Sequence, residues 1–246
     1  MDMLSALWGE NVTQPADGLM MREWIKTFGL DKTKTILDLS AGVGDLARHI
    51  ATTYGSYVDG LESDEELALV GAELSCAGNL QRQADISAYD PESFAWPRHV
   101  DLVLMRPLLY RLHDKERFLD AVAQCMKAHA PLAMLEYTAN DPASPALAAW
   151  TAEEGGAHPW SMAQMKAAME RRSLNVRIAE DVTAAYRHEI VAGLCQLTRK
   201  LETLYLTPAA KQIMMREVRP WMMRADALEK GLKVTRFYAT RIRAVT

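Results

Sequence analysis

The stretch Thr35-Ile36-Leu37-Asp38-Leu39-Ser40-Ala41-Gly42-Val43-Gly44-Asp45-Leu46 decides how this chain is read. Thr35 to Leu39 is a short apolar run that predicts a β-strand. Beyond the turn, Val43, Leu46, Ala47, Ile50, Ala51 and Tyr54 recur at helical spacing with one face to bury. Between strand and helix stand small residues, and Gly42 and Gly44 let the backbone come close to a ligand because no Cβ intervenes. Asp38 ends the strand, where its carboxylate can accept a hydrogen bond from an ammonium group.

The same alternation continues outward. Ser56 to Leu61 predicts a second strand, followed from about Asp64 by a helix burying Leu67, Val70 and Leu74. A weak third strand is expected near Leu80 to Ala84 and a strong fourth at Val100 to Met105. Asp114 then serves as N-cap for a helix with the stripe Phe118, Leu119, Val122, Cys125 and Met126. Leu132 to Thr138 makes a fifth strand. Strands alternating with helices imply a parallel sheet covered on both faces. Asp141-Pro142-Ala143-Ser144-Pro145 is a turn-rich break. A helix at Ser161 to Arg172, a sixth strand at Leu174 to Ala179 and a last strand at Leu232 to Ala239 complete the pattern. The helical stretch Ala184 to Lys230 is too long for a connection. It reads as an insertion over the C-terminal edge of the sheet, where open α/β sheets bind ligands.

Composition narrows the classes. The chain has 246 residues, 49% of them hydrophobic, enough for one core, so 1–246 reads as a single domain. Its parts are N-terminal helices at 1–30, a ligand-binding core at 31–140, and a substrate-side insertion with closing strands at 141–246. The formal charge of -4 offers no basic excess for a phosphate backbone, so no nucleic-acid partner is expected. Cys76, Cys125 and Cys195 lie far apart, without disulfide density or zinc spacing, and no metal is expected. Met1 to Glu10 lacks the pattern of a secretory signal, and no apolar run reaches the ~18 residues of a membrane span. The expected setting is the cytoplasm.

Two more acids extend the site. Glu62 stands eighteen residues past Gly44, at the end of the second strand, where a carboxylate can take both hydroxyls of a ribose. Asp85, in Ala84-Asp85-Ile86, follows the expected third strand and is placed for an adenine amino group, with Ile86 against the ring. Three acids at the ends of three successive strands carry more weight than the glycine turn alone.

Asp38 to Gly44 resembles the first motif of class I S-adenosylmethionine-dependent methyltransferases, D-x-G-x-G-x-G, with Ser40 replacing the first glycine. Gly60-Leu61-Glu62 resembles their acidic second motif and Ala84-Asp85-Ile86 their adenine motif. Trp8-Gly9-Glu10 through Gly18 is similar to the N-terminal lid of small-molecule enzymes of the sarcosine, phosphoethanolamine and sterol type. Ala179 to Thr183 with the long helix that follows is similar to their insertion. Lys230-Gly231 leading into Arg236 to Ala239 is similar to their closing strand. The resemblance implies a Rossmann-like, doubly wound, mostly parallel seven-stranded sheet with an antiparallel last strand, an N-terminal lid and a helical insertion between the last two strands. It implies S-adenosylmethionine as cofactor, held by Asp38, Ser40, Ala41, Gly42, Gly44, Glu62, Ser63, Asp85, Ile86 and Met105.

The acceptor is then expected where strands four and five end. Tyr110 and His113 are the candidate catalytic residues, although His113 could equally cap the helix that starts at Asp114 and Tyr110 equally suits packing. Arg106, Tyr110, Trp8 and Tyr137 are the candidate acceptor-binding residues. Arg106 departs from expectation, since a guanidinium beside a sulfonium is unfavourable. It either points away or pairs with an anion, such as an acidic acceptor or a carboxylate of the cofactor. Methyl transfer to a small polar, in one version acidic, acceptor is the first reading. A degenerate fold that binds nucleotide as a sensor or interaction protein is the second. A homodimer is left open.

Overall fold

Seven strands form one sheet in the order β3-β2-β1-β4-β5-β7-β6. They are β1 (Thr35–Asp38), β2 (Tyr57–Glu62), β3 (Ala84–Ala88), β4 (Leu102–Met105), β5 (Pro131–Thr138), β6 (Leu174–Asp181) and β7 (Lys233–Arg241). The first five run parallel, and β7 is antiparallel to both β5 and β6. The helices are α1 (Leu19–Ile25), α2 (Asp45–Tyr54), α3 (Glu65–Ala77), α4 (Lys115–Cys125), α5 (Ala148–Glu153), α6 (Met162–Glu170), α7 (Thr183–Leu201) and α8 (Pro208–Glu229). The structure is a computed structural model and describes residues 7, 8, 12, 15, 19–202 and 207–242. Most of the expected lid, 8–18, therefore lies outside the described residues.

The central strands are apolar on both faces because helices cover both. Ile36, Leu102, Leu104, Ala133 and Leu135 point to one side, against Met21, Ile25, Leu46, Ile50 and Tyr186. Leu37, Val103, Met105, Leu132 and Met134 alternate to the other, against Phe118, Leu119, Met165 and Met169. This is the two-residue period of a strand buried on both sides, which reads in sequence as a continuous apolar run. The antiparallel β7 sits between β5 and β6. The insertion that leads into it, α7 and α8, is therefore folded back over one face of the sheet. Among the described residues no helix is long and apolar enough to cross a membrane.

One strand differs from expectation. β3 spans Ala84–Ala88 rather than Leu80 to Ala84. Leu80 instead closes a turn, its carbonyl accepting from the backbone of Gln83 and Ala84. The register is set by packing: Ala84 and Ile86 face inward, while Asp85 and Ser87 face out. Ile86 fills a slot left by three glycines. A Cβ on Gly44, Gly60 or Gly71 would come within 2.7, 2.5 or 2.8 Å of its side chain.

That slot generates a prediction. At Gly60 an added methyl would also meet the Cβ of Ala41 at 2.9 Å, so it is pinched from both sides. The gain in chain entropy from Gly60→Ala is about 0.5–1 kcal/mol, and overpacking of about 1–3 kcal/mol outweighs it. Gly60→Ala should lower stability in urea denaturation. Ile86→Val removes the terminal methyl at the 2.5 Å contact, so the double variant should lose less than the sum of the singles.

Candidate functional site

The C-terminal ends of β1, β2, β4 and β5 open into a cavity of about 360 Å³. Leu39, Ser40, Gly42, Glu62, Ser63, Leu67 and Pro91 line one half, and Pro107, Leu108, Tyr110, Arg111, Leu112 and Tyr137 the middle. Tyr186, Trp221 and Arg224, all from the insertion, close the far end.

The first half is built on the glycine turn. Gly42 and Gly44 have φ of 56° and 76°, left-handed values that favour glycine. The turn is pinned by Leu39 N–H to the Leu104 carbonyl and Ala41 N–H to the Leu61 carbonyl, both 3.0 Å. Glu62 reaches across from β2. Its carboxylate accepts from Gly42 N–H at 2.8 Å, Ser63 Oγ–H at 3.1 Å and Asp64 N–H at 3.0 Å. The carboxylate is thereby fixed in the wall before any ligand arrives. Tyr89, after β3, donates its hydroxyl to the Leu39 carbonyl at 2.7 Å and ties that strand end to the turn.

Asp38 does not line the cavity. It is fully buried, and Arg106, also fully buried, pairs with it at 3.1 Å. Ser40 stands between this pair and the cavity. Its N–H donates to Asp38 at 3.2 Å, its Oγ accepts from Arg106 N–H at 2.7 Å, and its carbonyl accepts from the Arg106 guanidinium. Ser40 and Arg106, two separate departures in the sequence, thus touch. Arg106 thus pairs with the chain's own Asp38.

Beyond Arg106 the chain turns sharply, and two buried charges hold the turn. Glu136 of β5 accepts from Leu108 N–H at 2.9 Å, Leu109 N–H at 2.7 Å and Tyr137 N–H at 2.8 Å. The Lys115 ammonium donates to the Leu112 carbonyl at 2.7 Å. Burial pushes Glu136 up to about 7, against the pull of those three N–H groups and of Lys115. Burial likewise brings Lys115 down to about 8, with Glu136 opposing.

This turn delivers Tyr110 and Arg111 to a third buried carboxylate, Glu154, whose side chain is 1% exposed. Tyr110 donates its hydroxyl to Glu154 at 2.9 Å. Arg111 donates through Nε at 3.1 Å, and Arg224 through Nε at 2.6 Å and Nη2 at 3.2 Å. Burial raises Glu154, but the Arg224 and Arg111 guanidiniums outweigh it and hold the carboxyl below its usual range. Arg224 also lies over the Trp221 ring at 4.4 Å. Tyr137 and Tyr186 place their hydroxyl oxygens 3.5 Å apart. Burial raises Tyr110, Tyr137 and Tyr186, so all three are neutral hydroxyls.

The structure thus brings Ser40, Gly42, Glu62, Ser63, Tyr110 and Tyr137 together at the cavity. It does not bring Asp85, which faces out at the start of β3, opposite Asp59 and not Glu62. Ala41, Gly44, Ile86 and Met105 are packing positions around the turn. His113 has a side chain 91% exposed, bonded to Glu92 through its N–H at 2.7 Å and its ring at 3.1 Å. It precedes the Asp114 N-cap, whose carboxylate accepts from Arg117 N–H. Trp8 is one layer back, edge-on to Trp221 at 4.7 Å and against Gly193 of α7. Arg111, Glu154, Tyr186, Trp221 and Arg224 were not anticipated. In sequence Tyr186, Trp221 and Arg224 follow the spacing of an ordinary helix face, and Arg111 and Glu154 stand at the ends of short helical turns.

Glu136 carries a pH dependence. Its folded-state value near 7 lies above the 4.5 of an ordinary glutamate, so the folded protein binds the proton more tightly. The stability this contributes is complete below about pH 4.5 and is lost as pH rises through about 7. Glu136→Gln cannot titrate, and its amide NH₂ would oppose one of the three N–H donors, a mismatch of about 1–3 kcal/mol. Denaturation midpoints should show a deficit for this variant that is larger at pH 5 than at pH 8.

A model of the methyltransferase domain family matches residues 16–177, more than half of the chain. Over 111 residues the chain is 24% identical to ajmaline N-methyltransferase of Rauvolfia serpentina, covering 45% of this chain and 38% of that protein. Norajmaline N-methyltransferase of the same plant is 26% identical over 107 residues, 43% of this chain and 37% of that protein. The chain thus spans well under half the length of these curated relatives. Among solved structures, phosphoethanolamine N-methyltransferase 2 of Haemonchus contortus, with phosphomonomethylethanolamine and S-adenosylhomocysteine, superposes with TM-score 0.83 at 15% identity, over 98% of this chain and 57% of that one. The [4+2]-cyclase SpnF superposes with TM-score 0.73 at 15% identity, over 92% and 82%. The sheet order, the glycine turn facing Glu62 and the family match together identify the chain as a member of the class I, S-adenosylmethionine-dependent methyltransferase family.

Proposed function

We propose that this protein binds S-adenosylmethionine through Ser40, Gly42, Glu62 and Ser63 and methylates a small acceptor bearing an anionic group. The observation that carries the acceptor class is the far end of the cavity. There one buried carboxylate, Glu154, faces two guanidiniums, Arg111 and Arg224, which leaves one positive charge in excess among the described residues. Neutral hydroxyls of Tyr137 and Tyr186 stand beside it. A carboxylate or phosphate on the acceptor would meet both charge and donors there.

The residues present suit the adenosine half of the cofactor. Glu62 is preorganised in the wall as an acceptor for hydroxyl donors, and Leu39, Leu67 and Pro91 give apolar surface for a base. S-adenosylmethionine, when bound, supplies an electrophilic methyl group on a sulfonium. The chain's contribution is then alignment and exclusion of water, and proximity can account for much of the acceleration. Among the described residues lining the cavity, no histidine stands ready to take a proton. Tyr110 is already donating to Glu154, and His113 lies outside. Such a site favours an acceptor atom that arrives deprotonated. A second reading, an adenosyl-binding protein without transfer, draws on the neutralised Asp38 and on the presence of a cyclase among the structural neighbours.

Two measurements test the proposal. Charge-assisted hydrogen bonds are worth about 1.5–3 kcal/mol each, so Glu62→Ala should weaken cofactor binding in calorimetry by about tenfold or more. Unchanged affinity would remove Glu62 from the ribose site. Acceptor-dependent formation of S-adenosylhomocysteine should favour acidic over neutral acceptors. Arg224→Met should lower kcat/KM for the acidic ones by about tenfold or more, with Arg224→Lys losing less. Cofactor binding without turnover of any acceptor would support the second reading instead.

A further inference from the structure

The Asp38–Ser40–Arg106 triangle carries a consequence for what the adenosyl site recognises, given the proposal above that an adenosyl ligand binds here. In the arrangement that the sequence motif suggests, Asp38 would meet a ligand's ammonium across a bare glycine. Here position 40 is serine, and the residue leaving β4 is arginine. The two are joined: Ser40 Oγ accepts from Arg106 N–H at 2.7 Å, and the Ser40 carbonyl accepts from the guanidinium. The guanidinium lies 3.1 Å from Asp38 with both side chains fully buried. The other Asp38 oxygen accepts from Ser40 N–H at 3.2 Å. Ser40 lines the cavity, whereas neither Asp38 nor Arg106 does.

We propose that Arg106 acts as a built-in counter-ion standing where a ligand's ammonium would otherwise bind. It makes this protein a reader of the adenosyl group and its sulfur, nearly indifferent to the amino group of the attached arm. The physical basis is competition in a dry setting. A ligand ammonium would have to displace a covalently tethered guanidinium that already holds the carboxylate and the Ser40 carbonyl. Removing one partner of a buried pair strongly disfavours the state left behind. Beneath the arm the Asp38 carboxylate already has a cationic partner in Arg106. Ser40 sets the geometry, taking both the backbone and the side chain of Arg106, which accounts for the two departures occurring together.

The test compares two probes that differ only in the ammonium arm: 5′-methylthioadenosine and 5′-deoxy-5′-(3-aminopropylthio)adenosine. Calorimetry on the wild-type protein should give affinities within about tenfold of each other, since a charge-assisted bond to a free Asp38 would exceed that. Arg106→Met frees Asp38, and the aminopropyl probe should gain about tenfold or more over the methyl probe. This variant leaves a buried carboxylate alone, so Asp38→Asn/Arg106→Met, neutral at both positions, is measured beside it. The double variant should return the ratio to the wild-type value. A wild-type preference for the amine beyond about tenfold would overturn the proposal without any variant. So would a ratio that stays or falls in Arg106→Met. Failure of the wild-type protein to bind either probe would overturn the adenosyl reading itself, an outcome distinct from both probes binding with the wrong ratio.

Discussion

The ion pair between Asp38 and Arg106 closes the sheet at the place where its strand order reverses. β1 has β2 on one side and β4 on the other, so the crossovers from these strands lead away in opposite directions and leave a crevice at their C-terminal ends. Asp38 ends β1 and Arg106 follows β4. Their pairing, with Ser40 between, joins the two strands at the mouth of that crevice. The direction of the glycine turn and the course of the chain toward Tyr110 both start from this joint.

Two further buried carboxylates extend the same logic outward. Glu136 gathers three backbone N–H groups and so fixes the turn after Arg106. Glu154 gathers a tyrosine and two arginines and so joins that turn to α8 of the insertion. A buried carboxylate is costly unless donors surround it, and here the donors come from segments distant in the chain. Each acid therefore acts as a tie between elements. The cavity between the ties is lined by groups whose positions the ties dictate.

The charges divide the cavity. At the Glu62 end a carboxylate held by three donors gives an acceptor surface. At the Arg224 end two guanidiniums against one carboxylate give a donor surface. Between them lies Ser40, with the Asp38–Arg106 pair buried behind it. Under the proposed function, the cofactor's hydroxyls meet one end and the acceptor's anion the other.

The alternation of apolar runs and helical stripes was enough to place the central strands, the crossovers and the insertion, because strand and helix periods are local properties of the chain. The stripe expected on α3 was not found, since Val70 is exposed and the helix buries Ala68, Gly71 and Ser75 instead. The glycine turn and Glu62 were legible for the same reason: both sit at fixed places in a strand–turn–helix unit. The edge strand β3 was not, since its register follows from Ile86 fitting a slot made by Gly44, Gly60 and Gly71, residues brought together only by folding. Arg106 was visible as an anomaly, but its partner was not. The sequence measures neither the depth of Asp38 nor the reach of a guanidinium across two strands. Glu154, Tyr186 and Arg224 were invisible as a group, because each belongs to a different element of the second half of the chain. Only the antiparallel return of β7, with α7 and α8 folded over the sheet, sets their side chains facing Tyr110. The local periods, and hence the framework, follow from the order of residues along the chain. The charge pattern of the site was decided by tertiary structure, because it arises from contacts between residues tens of positions apart.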